Sequence, residues 1–295
     1  MAAAFFIVSI NAGKVSAGVW LMSPRGYPGL RLPEPWRTTS CFAPAPTGYA
    51  RRVGPVIRVA AAGDLHASEE HRERITHSFA ELAERADLVL LAGDLTTHGM
   101  PEQAAVLADA CRVVSPLPVV AVLGNHDHHA GRQDDVIATL REAGVVVLER
   151  DHLVLELGGI EVGVAGTKGF VGGFPGAEIA DFGEALLREV YAETSREVDA
   201  LEKGLEEISG CHRRLVLLHY APLSETLTGE PEGIWAFLGS GRLAGPIGAH
   251  RPDAVFHGHA HHGRPRGAIG EVPVWNVARH VTGEDFAIVE VQARR

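Results

Sequence analysis

The chain has few cysteines, few aromatic residues and no basic excess. Its three cysteines, Cys41, Cys111 and Cys211, lie far apart with no C-x-x-C spacing. That excludes a disulfide framework and a cysteine-based zinc finger; each thiol reads as a small buried hydrophobe in a reducing, cytoplasmic setting. Thirty-seven acidic residues against 27 basic ones leave a formal net charge of -10. A nucleic-acid polymer is a poor partner for such a surface. A small anionic substrate is still open to a protein that borrows positive charge from a metal ion. No apolar run approaches the roughly 18 residues of a membrane-spanning helix, so no membrane partner is expected. The opening stretch MAAAFFIVSINAGKVSAG holds an apolar patch, but nothing positive precedes it and it breaks at Asn11. It does not read as a secretory leader.

What is present is an ordinary globular composition, 46% hydrophobic and 22% charged over 295 residues, enough for one large domain or two modest ones. Residues 1–54 are proline-rich and aperiodic (PEPW, CFAPAPTGYARR) and read as a disordered or loosely attached extension. From residue 55 to 295 the pattern becomes that of one domain. Apolar runs (VIRVAAAG, DLVLLAG, PVVAVLG, IEVGVAG, RRLVLLH, DAVFHG) alternate with amphipathic stretches. Runs of this kind suit strands buried on both faces. Ser68 is placed to cap a helix bearing Ile75, Phe79, Leu82 and Ala86, and Pro101 to open a second. A third, with Val136, Ile137 and Leu140, stops at Gly144, and a longer one runs from about Gly183 to Ile208 with Leu186, Val190, Val198, Leu201 and Leu205 on one stripe. Strand-helix alternation of this kind makes an α/β domain with layered sheets.

Polar groups follow the apolar runs one after another. They are Asp64 and His66, then Asp94, then Asn125, His126 and Asp127, then His219, then His259 and His261. The C-terminal ends of strands are where α/β folds place ligand sites. Asp and His donors with an Asn carbonyl make a mixed oxygen and nitrogen environment suited to Mn, Fe, Zn or Co. Seven donors exceed one four-coordinate ion but suit two ions sharing a carboxylate, the usual clamp for attack on a phosphate ester.

The ordered series G-D-L-H, G-D-L, G-N-H-D, H-Y-A-P and G-H-A-H resembles the calcineurin-like metallophosphoesterase superfamily over about residues 56 to 292. The resemblance implies a four-layer α-β-β-α sandwich with two central mixed sheets and a dinuclear metal site at strand C-terminal ends. It implies that Asp64, His66 and His261 hold one metal and Asn125, His219 and His259 the other. Asp94 bridges them with a shared water whose pKa falls toward ~7. His126 stays off the metals and stabilises the phosphoryl group or protonates the leaving oxygen. The implied activity is hydrolysis of a small phosphoester. The GDLTTHG and GNHD stretches depart from the G-D-x-x-D-R-G and G-N-H-E of the superfamily's protein phosphatases. They are closer to its bacterial-type phosphodiesterases, with small nucleotide-like substrates. A scaffold of the same fold that binds a partner protein is the alternative; filled ligand positions argue against it.

The remaining histidines divide. His257 reads as a strand-end residue with satisfied hydrogen bonds, and His128, His129 and His262 read as a solvated rim. His98, in the loop after Asp94, is a candidate substrate contact, as are Lys168 and Arg132, with Arg264 and Arg266 more remote. The glycine-rich GTKGFVGGFPG lacks P-loop spacing; Phe170 and Phe174 within it would wall a pocket. The segment 222–246 reads as a long irregular insertion that shapes the substrate site. Metal identity, substrate and oligomeric state are left open, with a dimer among the alternatives.

Overall fold

The computed structural model describes the backbone of residues 5–11 and 14–20 and all of residues 56–292. A five-stranded sheet has the order β13 (Ala287–Gln292), β3 (Val56–Ala62), β4 (Leu88–Ala92), β5 (Val119–Val122), β6 (Val146–Val147). It is parallel apart from antiparallel β13 at one edge. An eight-stranded mixed sheet runs β11 (Arg266–Ile269), β12 (Val272–Asn276), β10 (Ala254–His257), β9 (Arg213–Leu217), β8 (Ile160–Gly166), β7 (Asp151–Leu157), β1 (Phe5–Asn11), β2 (Lys14–Trp20).

Alternation along each strand decides what it faces. In β3 and β4, Ile57, Val59, Leu88 and Leu90 point between the sheets, against Leu153, Leu155, Leu215, Leu217 and Phe256 of the other sheet. Ala60, Ala62, Val89 and Leu91 point outward onto α1 (Arg72–Ala80), α2 (Pro101–Val113) and α3 (Gln133–Glu142). Val216, Leu218 and Val255 face outward from the second sheet onto α4 (Ala185–Glu207) and α6 (Ala244–His250). Strands apolar on both faces therefore yield three apolar layers and a four-layer α-β-β-α sandwich with two mixed sheets. No helix among the described residues is long and apolar enough to cross a membrane.

All six apolar runs are strands, and Pro101 opens α2 as its fixed φ favours. Three local expectations are corrected. Ser68 makes no side-chain cap; α1 ends at Ala80, and Leu82 and Ala86 are buried in the turns beyond it. Leu186 is 71% exposed, within a stretch, residues 181–189, that is exposed throughout. The insertion is not irregular: it folds into short turns, among them α5 (Trp235–Leu238), pinned by Trp235, Leu238 and Leu227 packing on Phe174 and Ala260. Within the N-terminal extension, β1 and β2 pair as an antiparallel hairpin and β1 lies parallel to β7, covering an otherwise open strand edge. The rest of that segment lies outside the described residues, as does Cys41. Cys111 is buried and Cys211 half-buried, both as free thiols.

Candidate metal centre

The C-terminal ends of β3, β4 and β5 in one sheet and of β9 and β10 in the other meet at one rim. Backbone bonds stitch the loops together there. Asp64 N–H donates to Gly93 O (3.0 Å), His66 N–H to Asp94 O (3.0 Å) and Gly258 N–H to His219 O (3.1 Å). Asp64, His66, Asp94 and His259 all sit at positive φ (59°, 47°, 49° and 69°), a costly conformation for side chains of this kind. Four of the six non-glycine residues at positive φ among the described residues lie at this rim, which marks it as a functional site.

Glycines make the room. A Cβ on Gly124 would lie 2.1 Å from Asp94 Oδ1, and one on Gly258 would lie 2.5 Å from Asp64 Oδ2. The glycines opening G-N-H-D and G-H-A-H are thus the space into which a neighbouring side chain fits, a role the sequence alone does not reveal.

Asp64, His66 and His261 bring ligand atoms within 4.8 Å of one another, as do Asp94, His219 and His259. Asp94 also converges with His66 and His126, so it belongs to both sides. In the second group, His219 gives its Nδ1–H to the Ala92 carbonyl (2.9 Å), which leaves Nε2 as a lone pair. That Nε2 lies 2.9 Å from Asn125 Oδ1 and 3.3 Å from Asp94 Oδ1. Nε2, Asn125 Oδ1 and Asp94 Oδ1 thus converge on one point, an arrangement that a cation satisfies. His259 likewise gives Nε2–H to Phe237 O (3.2 Å), freeing Nδ1. In the first group, His66 Nδ1 is buried with no hydrogen-bond partner. The donor set, with His66 Nε2 4.0 Å from Asp94 Oδ2, fits a pair of transition-metal ions.

Electrostatics agree. Burial, then the charge of Asp64, pushes the Asp94 carboxyl up to about 7. Burial alone would also lift Asp64, but the hydrogen bond from His261 (3.0 Å), the charge of the adjacent histidines and the His259 N–H hold it low. Burial drives His66 down to about 4 and His259 to about 3, and also lowers His219. His261 is the exception, raised by its hydrogen bond to Asp64; the other three are held neutral beside buried carboxylates, the form that metal ligation requires.

His126 has its backbone N–H on Asp94 Oδ1 (2.9 Å) and its Nδ1–H on Thr97 O (2.8 Å), which aims Nε2 to 3.9 Å from Asp94 Oδ2. His257 is partnered at both nitrogens as expected, giving Nδ1–H to Gly258 O (2.8 Å) and placing Nε2 2.9 Å from the Thr226 hydroxyl oxygen. His98 and His129 are exposed, their rings 5.9 Å apart. His128 is half-buried rather than on a solvated rim, and His262 is exposed. Lys168 is half-buried, its ammonium 4.4 Å from the Phe170 ring centre and 5.0 Å from that of Tyr220. Arg132 is paired with Asp135 at the start of α3, Arg266 stacks on Trp275 at 4.0 Å, and Arg264 is exposed. Phe174 packs inward instead of walling a pocket.

Two residues are given no role from the sequence. Asp127 is buried and bonds to the loops on either side of the site; the acid closing G-N-H-D was its only signal. His280, on α7 (Arg279–Thr282), stacks on His261 at 4.3 Å and 14° between planes, and nothing in its local sequence marks it.

Known proteins place this geometry. The family model for the calcineurin-like phosphoesterases matches residues 57–263. Among solved structures, phosphopantetheinyl hydrolase (PptH) from Mycobacterium tuberculosis is similar over 80% of this chain and 97% of its own, at 16% identity and a TM-score of 0.56. TT1561 of Thermus thermophilus is similar over 81% of this chain and 100% of its own, at 20% identity and a TM-score of 0.48. No protein of curated function matches. At 16% identity the Mycobacterium tuberculosis structure speaks for the fold alone, and the family rests on the match that spans most of the domain: the chain belongs to the calcineurin-like phosphoesterases.

Proposed function

We propose that the protein is a two-metal phosphodiesterase acting on a small, nucleotide-like phosphoester. The observation that carries this is Asp94, a single buried carboxylate shared by two groups of metal-ligating side chains. Asp64, His66 and His261 would hold one ion and Asn125, His219 and His259 the other. When bound, the pair supplies Lewis-acid charge to the phosphoryl oxygens and acidifies water to make the nucleophile.

The chain's own residues do the rest. Asp94 aligns the two halves and carries negative charge between them. Because Nδ1–H of His126 is committed to Thr97 O, Nε2 is the atom left to deliver a proton to the leaving oxygen or a hydrogen bond to the phosphoryl group. Lys168 stands beside the second half-site as a counter-charge. Exposed His98 and half-buried Phe170 offer flat surfaces to a ring-bearing ester; Arg132 would have to leave Asp135 to take part. A diester with one negative charge suits a rim of imidazoles and aromatic rings, and the GDLT, GNHD and GHAH motifs support the same preference.

The test is turnover after Mn reconstitution on bis(p-nitrophenyl) phosphate, p-nitrophenyl phosphate and cyclic nucleotides. Higher kcat/KM on the diesters is expected. A preference for the monoester would make the protein a monoesterase, and two bound ions with no hydrolysis of any ester would favour the scaffold reading.

A further inference from the structure

We propose that Glu197, on the outer helix α4, is a positioning residue for the Asn125–His219–His259 half of the metal centre, an inference that rests on the two-ion reading. Glu197 is only 2% exposed, and a carboxylate so deep requires donors on both oxygens. One oxygen accepts from Arg150 Nε (3.0 Å) and Nη2 (2.8 Å). The other accepts from the backbone N–H of Gly169 (2.9 Å) and from the Thr167 hydroxyl.

Those two donors flank Lys168 in the loop that leaves β8. The carbonyl of Lys168 accepts the backbone N–H of the ligand His219 and of Tyr220, both at 3.0 Å, while Thr167 N–H reaches Leu217 O at 3.1 Å. Gly169, at φ 74°, lies so close to Tyr220 that a Cβ would come within 3.1 Å of the tyrosine Cβ. The Tyr220 ring in turn lies 5.4 Å from the His219 ring and 4.5 Å from the His259 ring. Glu197 thus reaches the second half-site through one three-residue loop that holds the His219 backbone, seats Tyr220 against both histidines and sets where the Lys168 ammonium stands. Among the described residues it has no such connection to Asp64, His66 or His261. The expected signature is therefore one-sided: disturbing Glu197 loosens one ion and spares the other.

The experiment is calorimetric titration of the metal-free full chain with Mn²⁺, with the EPR signal of a coupled manganese pair as a second readout. In Glu197→Gln, the amide turns a carbonyl to either Gly169 or Arg150 and an NH₂ to the other, so one set of donors meets a donor. One Mn²⁺ site should weaken by about 10–100-fold, the usual effect of losing an outer-sphere partner. The other site should keep its affinity, and the coupled signal should fade at limiting metal. Thr167→Val should shift the same site in the same direction by less. Adding Arg150→Met to Glu197→Gln removes the donor conflict and should restore most of the lost affinity. Unchanged affinity at both sites in the two single variants would overturn the proposal, as would equal weakening of both sites with a lower melting temperature. If Glu197→Gln does not fold, Thr167→Val decides, because it removes one hydroxyl and leaves the ion pair intact. A wild-type chain that binds a single ion would instead overturn the two-ion reading and this proposal with it.

Discussion

One carboxylate oxygen of Asp127 takes both hydrogen-bond donors of Thr96, the backbone N–H at 2.8 Å and the hydroxyl at 2.6 Å. Its other oxygen takes the N–H groups of Leu95 (3.0 Å) and Gly124 (2.8 Å). Asp127 thereby ties the loop that starts at Asp94 to the turn that carries Asn125 and His126. Asp127→Ala strands four donors, and with donors worth about 1–3 kcal/mol each when left unsatisfied, a stability loss of roughly 3 kcal/mol or more is expected in the metal-free protein. Denaturant unfolding measures it. A loss under about 1 kcal/mol, the size of an ordinary single hydrogen bond, would mean that Asp127 does not brace the two loops.

Asp94 stands 3.3 Å from His219 Nε2 and 4.0 Å from His66 Nε2, one histidine from each ligand group. Asp94→Asn removes the only charge common to both and puts an NH₂ donor among acceptors. Metal content and turnover should disappear together. Elemental analysis after reconstitution with excess Mn, Fe or Zn checks this. Full retention of one ion per chain would make Asp94 a ligand of a single metal.

Much of this centre is legible in the sequence because each expected ligand follows a run that is apolar on both faces. Such a run is the signature of a central strand, and its C-terminal end is a place as well as a pattern. Elements set by tertiary contact are less legible. β6 has two residues and α5 and α7 four each, too short to show a period. β7 and the edge strand β13 bury only alternate residues, so neither carries the continuous apolar run that marks the central strands. Leu186 fits the helical stripe of α4 by spacing, yet the first turn of that helix is exposed on every side. Glu197 looks like one more charge on a polar helix, because what buries it is a loop from a different strand.

His257 gives a pH dependence distinct from metal binding. Its ring is fully buried, and burial lowers its pKa to about 4 despite the hydrogen bond to Gly258 O. The unfolded chain takes up this proton near pH 6.5, while the folded chain resists until about 4. The contribution to stability is therefore complete above pH 6.5 and lost as pH falls through this window, on the order of 3 kcal/mol by its lower end. Metal-free His257→Gln should lose stability less steeply between those limits than metal-free wild type. Parallel curves would show that His257 protonates normally in the fold.

His126 tests mechanism rather than binding. Its Nδ1–H is held by Thr97 O, and its Nε2 reaches toward Asp94 without belonging to either ligand triad built on Asp64 or His219. If Nε2 protonates the leaving oxygen or stabilises the phosphoryl group, His126→Ala should cost on the order of 10²–10⁴ in turnover, the usual range for general acid catalysis. Both ions should remain, because all seven expected donors are intact. The loss should be smaller for a nitrophenyl ester, whose leaving group needs little protonation, than for an alkyl ester. Kinetics on both esters, with metal stoichiometry measured on the same preparations, separate the outcomes. Unchanged turnover on the alkyl ester would remove His126 from catalysis. Loss of an ion would move it into the ligand set with His66 and Asp94, whose ligand atoms already lie close to its own.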